Sequence, residues 1–288
     1  MLRFRMGAPQ RKHPQSLNQG RIIGRTSFLE NPIFKFCVLA SSSSGNCAFI
    51  ATDNTRILLD AGLSRRETFA RLAQIGEDPA NLDAIFITHE HSDHIAGLPV
   101  LAKTLKKPVF LTHKTAPMIA WGEFQPIVET FQAGTTVRIG DIEVASFTIP
   151  HDAIDAVGYS FCAQGIKASV ATDLGYIPEN IKFHLRDSDI LLLESNHDIE
   201  MLKVGPYPWQ VKQRVMGRNG HLSNDATARF IQEDMSSRVS TLLLGHLSDH
   251  NNYPALVELS ANQALEERRM TPTLAVVNGK TISEVFVY

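Results

Sequence analysis

"FITHEHSDHIAG", residues 86–97, sets three histidines and one aspartate within the six positions from His89 to His94. A helix brings together residues three or four apart, so His89, His91, Asp93 and His94 cannot all share one helical face. A loop that runs into a helix can present them in two directions. His89 and His91 then face one cation while Asp93 and His94 face another, and two ions about 3.5–4 Å apart form a clamp suited to in-line displacement at phosphorus.

Working outward, short apolar runs alternate with amphipathic stretches. The runs at 34–40, 46–52, 56–62, 84–89, 108–113, 142–150, 157–163, 167–173, 189–195 and 240–246 read as strands. Helices are expected over Arg65–Gly76, Asp93–Leu105, Ile177–Arg186, Ser223–Asp234 and Pro254–Glu267, with Ser64 and Ser223 where N-caps belong. Asn278-Gly279 lies between β-rich flanks, which signals a hairpin. The pattern predicts one domain of mixed α/β layers. Five apolar runs end in His89, His151, Asp173, Glu194 and His246. Open α/β sheets carry their sites just beyond the strand ends. Polar residues that merely mark a strand exit should have been Asn, Gly and Ser.

Composition narrows the class. With 288 residues, 43% hydrophobic and 20% charged, the chain has length for a sizeable core and an ordinary globular balance. A net charge of -2 carries no global sign of nucleic-acid binding, so a basic surface must be local. Cys37, Cys47 and Cys162 are few, odd in number and scattered, which speaks for a reducing compartment and against a disulfide framework. No stretch reaches the roughly 18 apolar residues of a membrane span. Residues 1–33 hold six Lys and Arg against the single acid Glu30 and suit a disordered basic extension, although an Arg-rich, acid-poor start also suits a transit peptide. Residues 34–288 form the expected folded domain.

The His motif resembles the signature of the metallo-β-lactamase-fold hydrolases. "LASSSSGNCAFI", "LLLDAGLS", "PHDA", "ATDLGY", "LLLESNHDIEML", "YPWQVKQRV", "GHLSN" and "GHLSDHNN" narrow the resemblance to the YycJ (WalJ)-type branch, from about residue 34 to the C-terminus. "SSSSGN" departs from the branch, which usually has a glycine among the serines. The resemblance implies a four-layer αββα sandwich, two divalent ions (Zn or Mn), nuclease and particularly exonuclease activity, and a cytoplasmic setting. Carried over residue by residue, it assigns His89, His91 and His151 to one metal, Asp93, His94 and His246 to the other, and Asp173 to both. His221 would contact the scissile phosphate and Glu194 would orient it, while Asp60 in "LLLDAG" would support the metal loop by hydrogen bonding. A metal-bridging hydroxide would attack phosphorus.

Two neighbouring features bear on substrate. His91 stands where a redox di-iron relative would carry a carboxylate, which favours hydrolysis over electron transfer. "KVGPYPWQVKQRVMGRNGH" brings Lys203, Lys212, Arg214 and Arg218 near His221, with Tyr207 and Trp209 available to stack on bases. A dinuclear phosphodiesterase acting on DNA or RNA is the leading expectation. A small-molecule hydrolase of the same fold, cleaving cyclic phosphates or thioesters, is the alternative, and a binding or scaffold relative would have no need of seven ligands.

Overall fold

A computed structural model describes residues 33–288. The expectation placed on the basic extension otherwise lies outside the described residues. The described chain opens with the antiparallel strands β1 (Phe34–Ala40), β2 (Cys47–Thr52) and β3 (Arg56–Leu59), then α1 (Arg65–Gln74), β4 (Ala84–Phe86), α2 (Ser92–Ile95), α3 (Leu98–Leu105), β5 (Val109–Thr112) and β6 (Val128–Phe131). A second series follows: β7 (Thr136–Ile139), β8 (Ile142–Thr148), β9 (Val157–Ala163), β10 (Ile166–Ala171), α4 (Glu179–Leu185), β11 (Ile190–Glu194), α5 (Ile199–Val204) and α6 (Trp209–Val215). The described chain closes with α7 (Asn224–Glu233), β12 (Thr241–Gly245), α8 (Pro254–Arg268), β13 (Thr273–Val276) and β14 (Phe286–Val287). They build two seven-stranded sheets, ordered β14-β1-β2-β3-β4-β5-β6 and β13-β12-β11-β10-β9-β8-β7.

Strand alternation explains the layering. Phe34, Phe36 and Val38 of β1 point between the sheets, where they meet Val157, Tyr159 and Phe161 of β9 and Leu192 of β11. The intervening Cys37 and Leu39 point outward onto Leu72 of α1 and Leu98 and Leu101 of α3. Leu191 and Leu193 likewise face Phe230 and Ile231 of α7 and Val257 and Leu265 of α8. Helix, sheet, sheet and helix therefore stack over three apolar cores, as a four-layer α/β sandwich. Each fully buried Phe or Leu contributes about 1.5–3 kcal/mol.

Both sheets direct their parallel strands to one edge. β3 and β4 run parallel in the first sheet and β10, β11 and β12 in the second. Ser64 and Ser223 do cap their helices, accepting from the backbone N–H groups of Glu67 and Ala226. Two expectations are corrected. The helix over Asp93–Leu105 breaks into α2 and α3, because Gly97 donates to the carbonyl of Ala61 at 2.8 Å and a Cβ there would lie 1.9 Å from the carbonyl oxygen of Leu63. Asn278-Gly279 turns no hairpin: β13 pairs with β12 and β14 with β1, so the segment crosses from one sheet to the other. The Asn278 side chain accepts from the backbone N–H groups of Lys280 and Thr281, and its carbonyl accepts from Ser41, which pins this crossing at the edge.

Candidate metal centre

The strand ends place the expected residues together. Asp60 follows β3, Thr88 and His89 follow β4, His151 follows β8, Asp173 follows β10, Glu194 ends β11 and His246 follows β12. Asp60, Asp173 and His246 have left-handed backbone, with φ of 59°, 61° and 57°. Non-glycine residues rarely adopt it and retain it where surrounding contacts over-determine the conformation. At His246 those contacts include a 2.8 Å bond from its N–H to Ser41 Oγ and a 2.7 Å bond from Asn196 Nδ2 to its carbonyl.

The nitrogen and oxygen atoms converge in two adjoining groups. His89, His91 and His151 form the first; Asp93, His94, Asp173 and His246 form the second. Asp173 lies between them, with Oδ1 3.9 Å from His151 Nε2 and 3.3 Å from His246 Nε2, and Oδ2 3.3 Å from His94 Nε2. His91 Nδ1 and His151 Nε2 approach to 3.1 Å. Tetrahedral zinc with Zn–N bonds near 2.0–2.1 Å sets two ligand nitrogens about 3.3 Å apart, so this spacing suits a shared cation. His89 Nε2 is buried without a hydrogen-bond partner, and an uncompensated donor or acceptor of that kind fits a ligand position. The donor set, imidazoles with carboxylates, could hold Zn or Mn.

Two buried carboxylates orient the rings. Asp60 Oδ2 accepts from His94 Nδ1 at 2.8 Å, and Asp60 Oδ1 accepts from the Thr88 N–H at 2.8 Å. Thr88 Oγ1 also lies 3.0 Å from His89 Nδ1. On the other sheet, Glu194 Oε1 meets His246 Nδ1 at 2.7 Å and His221 Nδ1 at 2.8 Å, while Oε2 accepts from the N–H groups of Leu174 and Leu222. Glu194 thus holds two imidazoles where only His221 was expected. A third geometric group joins Asp173, Glu194, His221 and His246, but both Glu194 oxygens are already engaged.

Electrostatics favour cations. Burial opposes ionisation of Glu194, yet His221 and His246 bring its carboxyl down to about 2. Burial likewise disfavours a charged His246, but Asp173, Asp93 and Glu194 outweigh it and raise that imidazole to about 10. Burial, aided by the charge on His94, pushes His89 well below its ordinary range, so it stays neutral with a lone pair to offer. Metal binding at such a cluster releases protons, because ligands coordinate in their deprotonated forms.

Other residues are placed as follows. Asn46 escaped a specific assignment: its Nδ2 donates to Asp93 Oδ2 at 3.2 Å, and its N–H donates to the Asp93 carbonyl at 2.8 Å. Thr88 was missed altogether, though it sits beside His89 in the motif. His250, four residues after His246, is exposed and packs against Tyr207. His184 stacks on Phe147. The basic segment needs correction. Lys212 is buried and donates to the carbonyl of Lys203 at 2.6 Å, so it cannot meet a nucleic acid. Lys203 pairs with Glu200, Arg214 with Asp152, and Arg218 lies 4.2 Å over the ring of Tyr176. Trp209 is exposed.

Comparisons with known proteins agree with this architecture. Residues 55–246 match the family model described as "Beta-lactamase superfamily domain". The chain is 36% identical over 241 residues to "Exodeoxyribonuclease YycJ" of Bacillus anthracis, covering 81% of this chain and 89% of that one. It is 37% identical over 232 residues to "Exodeoxyribonuclease WalJ" of Streptococcus pneumoniae, covering 79% and 86%. The crystal structure of the metallo-beta-lactamase fold protein YhfI from Bacillus subtilis superposes with a TM-score of 0.68 at 16% identity, over 89% of this chain and 100% of that one. With two layered sheets, a His-rich strand edge and these matches, the chain belongs to the beta-lactamase superfamily.

Proposed function

We propose that the chain is a dinuclear metal-dependent phosphodiesterase that shortens DNA from an end. The observation that carries this reading is the position of Asp173 between the two ligand groups. His89, His91 and His151 would hold one ion, Asp93, His94 and His246 the other, and Asp173 both. Two such ions would lower the pKa of a shared water to make a nucleophile near neutral pH and offset phosphate charge. Relatives at 36% and 37% identity that bear the name exodeoxyribonuclease support DNA over RNA and over small molecules.

The chain's own groups supply the rest. Asp60 and Glu194 hold His94 and His246 by Nδ1, leaving each Nε2 directed at Asp173. His221, bound to Glu194 through Nδ1, keeps Nε2 for the cleft, and its side chain is 22% exposed. Burial resists its charge, but Glu194 raises its pKa, which favours the protonated form that would donate to the leaving oxygen. Asn46 holds Asp93 in place. Three unbridged cysteines suit a reducing, cytoplasmic setting.

End-labelled single- and double-stranded DNA and RNA, incubated with Zn²⁺ or Mn²⁺, provide the test. DNA should be degraded progressively from one end, and Asp93→Ala should leave it intact. Uncut nucleic acid alongside cleavage of a thioester or a cyclic phosphate would replace this reading with the small-molecule alternative.

A further inference from the structure

The basic segment before His221 divides into two kinds of cation. Lys203 is paired with Glu200 on its own helix, and Lys212 is turned inward onto a carbonyl. Arg214 and Arg218 are both exposed, and each is fastened to a loop that carries a site residue. Arg214 binds through Nε to Asp152, the residue after His151, and Asp152 Oδ1 lies 3.5 Å from His151 Nε2. Arg218 stacks on Tyr176, three residues after Asp173. The backbone repeats the fastening: the N–H of Asp152 donates to the carbonyl of Asn219 at 3.1 Å, and that of His221 to the carbonyl of Val215 at 2.9 Å.

We propose that Arg214 and Arg218 grip backbone phosphates of the nucleic-acid strand next to the scissile one, an inference that rests on the phosphodiesterase reading above. Binding through Nε leaves the terminal nitrogens of Arg214 for a second acceptor, and its side chain is 67% exposed. Arg218 meets Tyr176 with Cζ 4.2 Å over the ring and is exposed to solvent, a cation–π contact that leaves N–H donors for a phosphate. Asp152 offsets part of the Arg214 charge and fixes the direction of its fork. A cation whose orientation is set before binding loses less freedom when it meets a phosphate. Lys203 has no such anchorage to a ligand loop.

The test is binding of a phosphorothioate-linked single-stranded DNA, followed by fluorescence anisotropy across a salt series. On a single strand each phosphate contact contributes about 0.7 to the slope of log affinity against log salt. Arg214→Ala and Arg218→Ala should each reduce that slope by about 0.7 and weaken binding roughly tenfold, and the pair should combine. Lys203→Ala removes the same charge from the same segment and should leave the slope alone. Arg214→Lys and Arg218→Lys should restore the slope with lower affinity, which separates a phosphate contact from a folding defect. Equal losses in all three alanine variants would mean bulk charge and overturn the inference. Unchanged slopes in a chain that still degrades DNA would overturn it alone, whereas no DNA binding by the parent chain would remove the underlying reading as well.

Discussion

Asp60 leaves β3 in the first sheet and Glu194 ends β11 in the second, and both are buried carboxylates that hold imidazoles by Nδ1. Their partners differ. Asp60 serves one ring, His94, and otherwise binds Thr88, so its whole network is enclosed. Glu194 serves the enclosed His246 and the partly exposed His221 together, and ties in the loops of Asp173 and His221 through the N–H groups of Leu174 and Leu222. One carboxylate shapes a single buried ring. The other links the buried His246 to the partly exposed His221.

Disabling the element shared by both networks should have the largest effect. Asp173→Ala should cut DNA hydrolysis by about 10⁴-fold or more and reduce bound metal per chain, as read by atomic emission. Retained metal at full stoichiometry would show that the two groups do not depend on Asp173. Next, Glu194→Gln should lower kcat by about 10³-fold, because a wrongly oriented His221 and a loosened His246 fail together. Asp60→Asn should cost less, about 10–100-fold, and should act mainly through metal affinity. Equal losses, with the same split between metal affinity and kcat, would erase the contrast between the carboxylates.

The smallest effect should come from a carboxylate that spans the sheets without any imidazole. Asp141 Oδ1 accepts from Thr52 Oγ1 at 2.7 Å and Thr55 Oγ1 at 2.6 Å, joining the turns before β3 and before β8. Burial works against its charge, but the two threonine hydroxyls outweigh that and lower its pKa below 3.8. A depressed folded-state pKa contributes stability that is present above 3.8 and lost as pH falls through the lower folded value. Asp141→Asn should therefore flatten the acid limb of stability against pH in denaturant titrations while hydrolysis at neutral pH stays unchanged. A fall in hydrolysis would mean that sheet docking at this turn governs the site.

The run of apolar strands with chemistry-bearing ends made the mixed α/β layers and the site edge legible in the sequence, whereas the four-layer sandwich followed only from the family resemblance. The short strands β6 and β7 were not legible, since Val128–Phe131 and Thr136–Ile139 contain no fully buried residue to mark them as core strands. Asn278-Gly279 misled because a turn dipeptide specifies a local bend, not which sheet receives the next strand. The second carboxylate–imidazole bond of Glu194 depends on β11 lying beside β12, with Glu194 opposite Gly245, a pairing across some 50 residues. Lys212 misled for a simpler reason: its ammonium finds a carbonyl that only the α5–α6 geometry brings near.

The site draws on residues as distant as Asn46 and His246. A nascent chain that has emerged only through β9 contains His89, His91, Asp93, His94 and His151 but none of Asp173, Glu194, His221 and His246. The sheets must meet before the second group is complete. Loop closure on that scale is slow, and domains emerge N-terminus first. Under the proposed metal reading, cation loading would be a late event in the life of the chain, one that registers whether its two halves have docked.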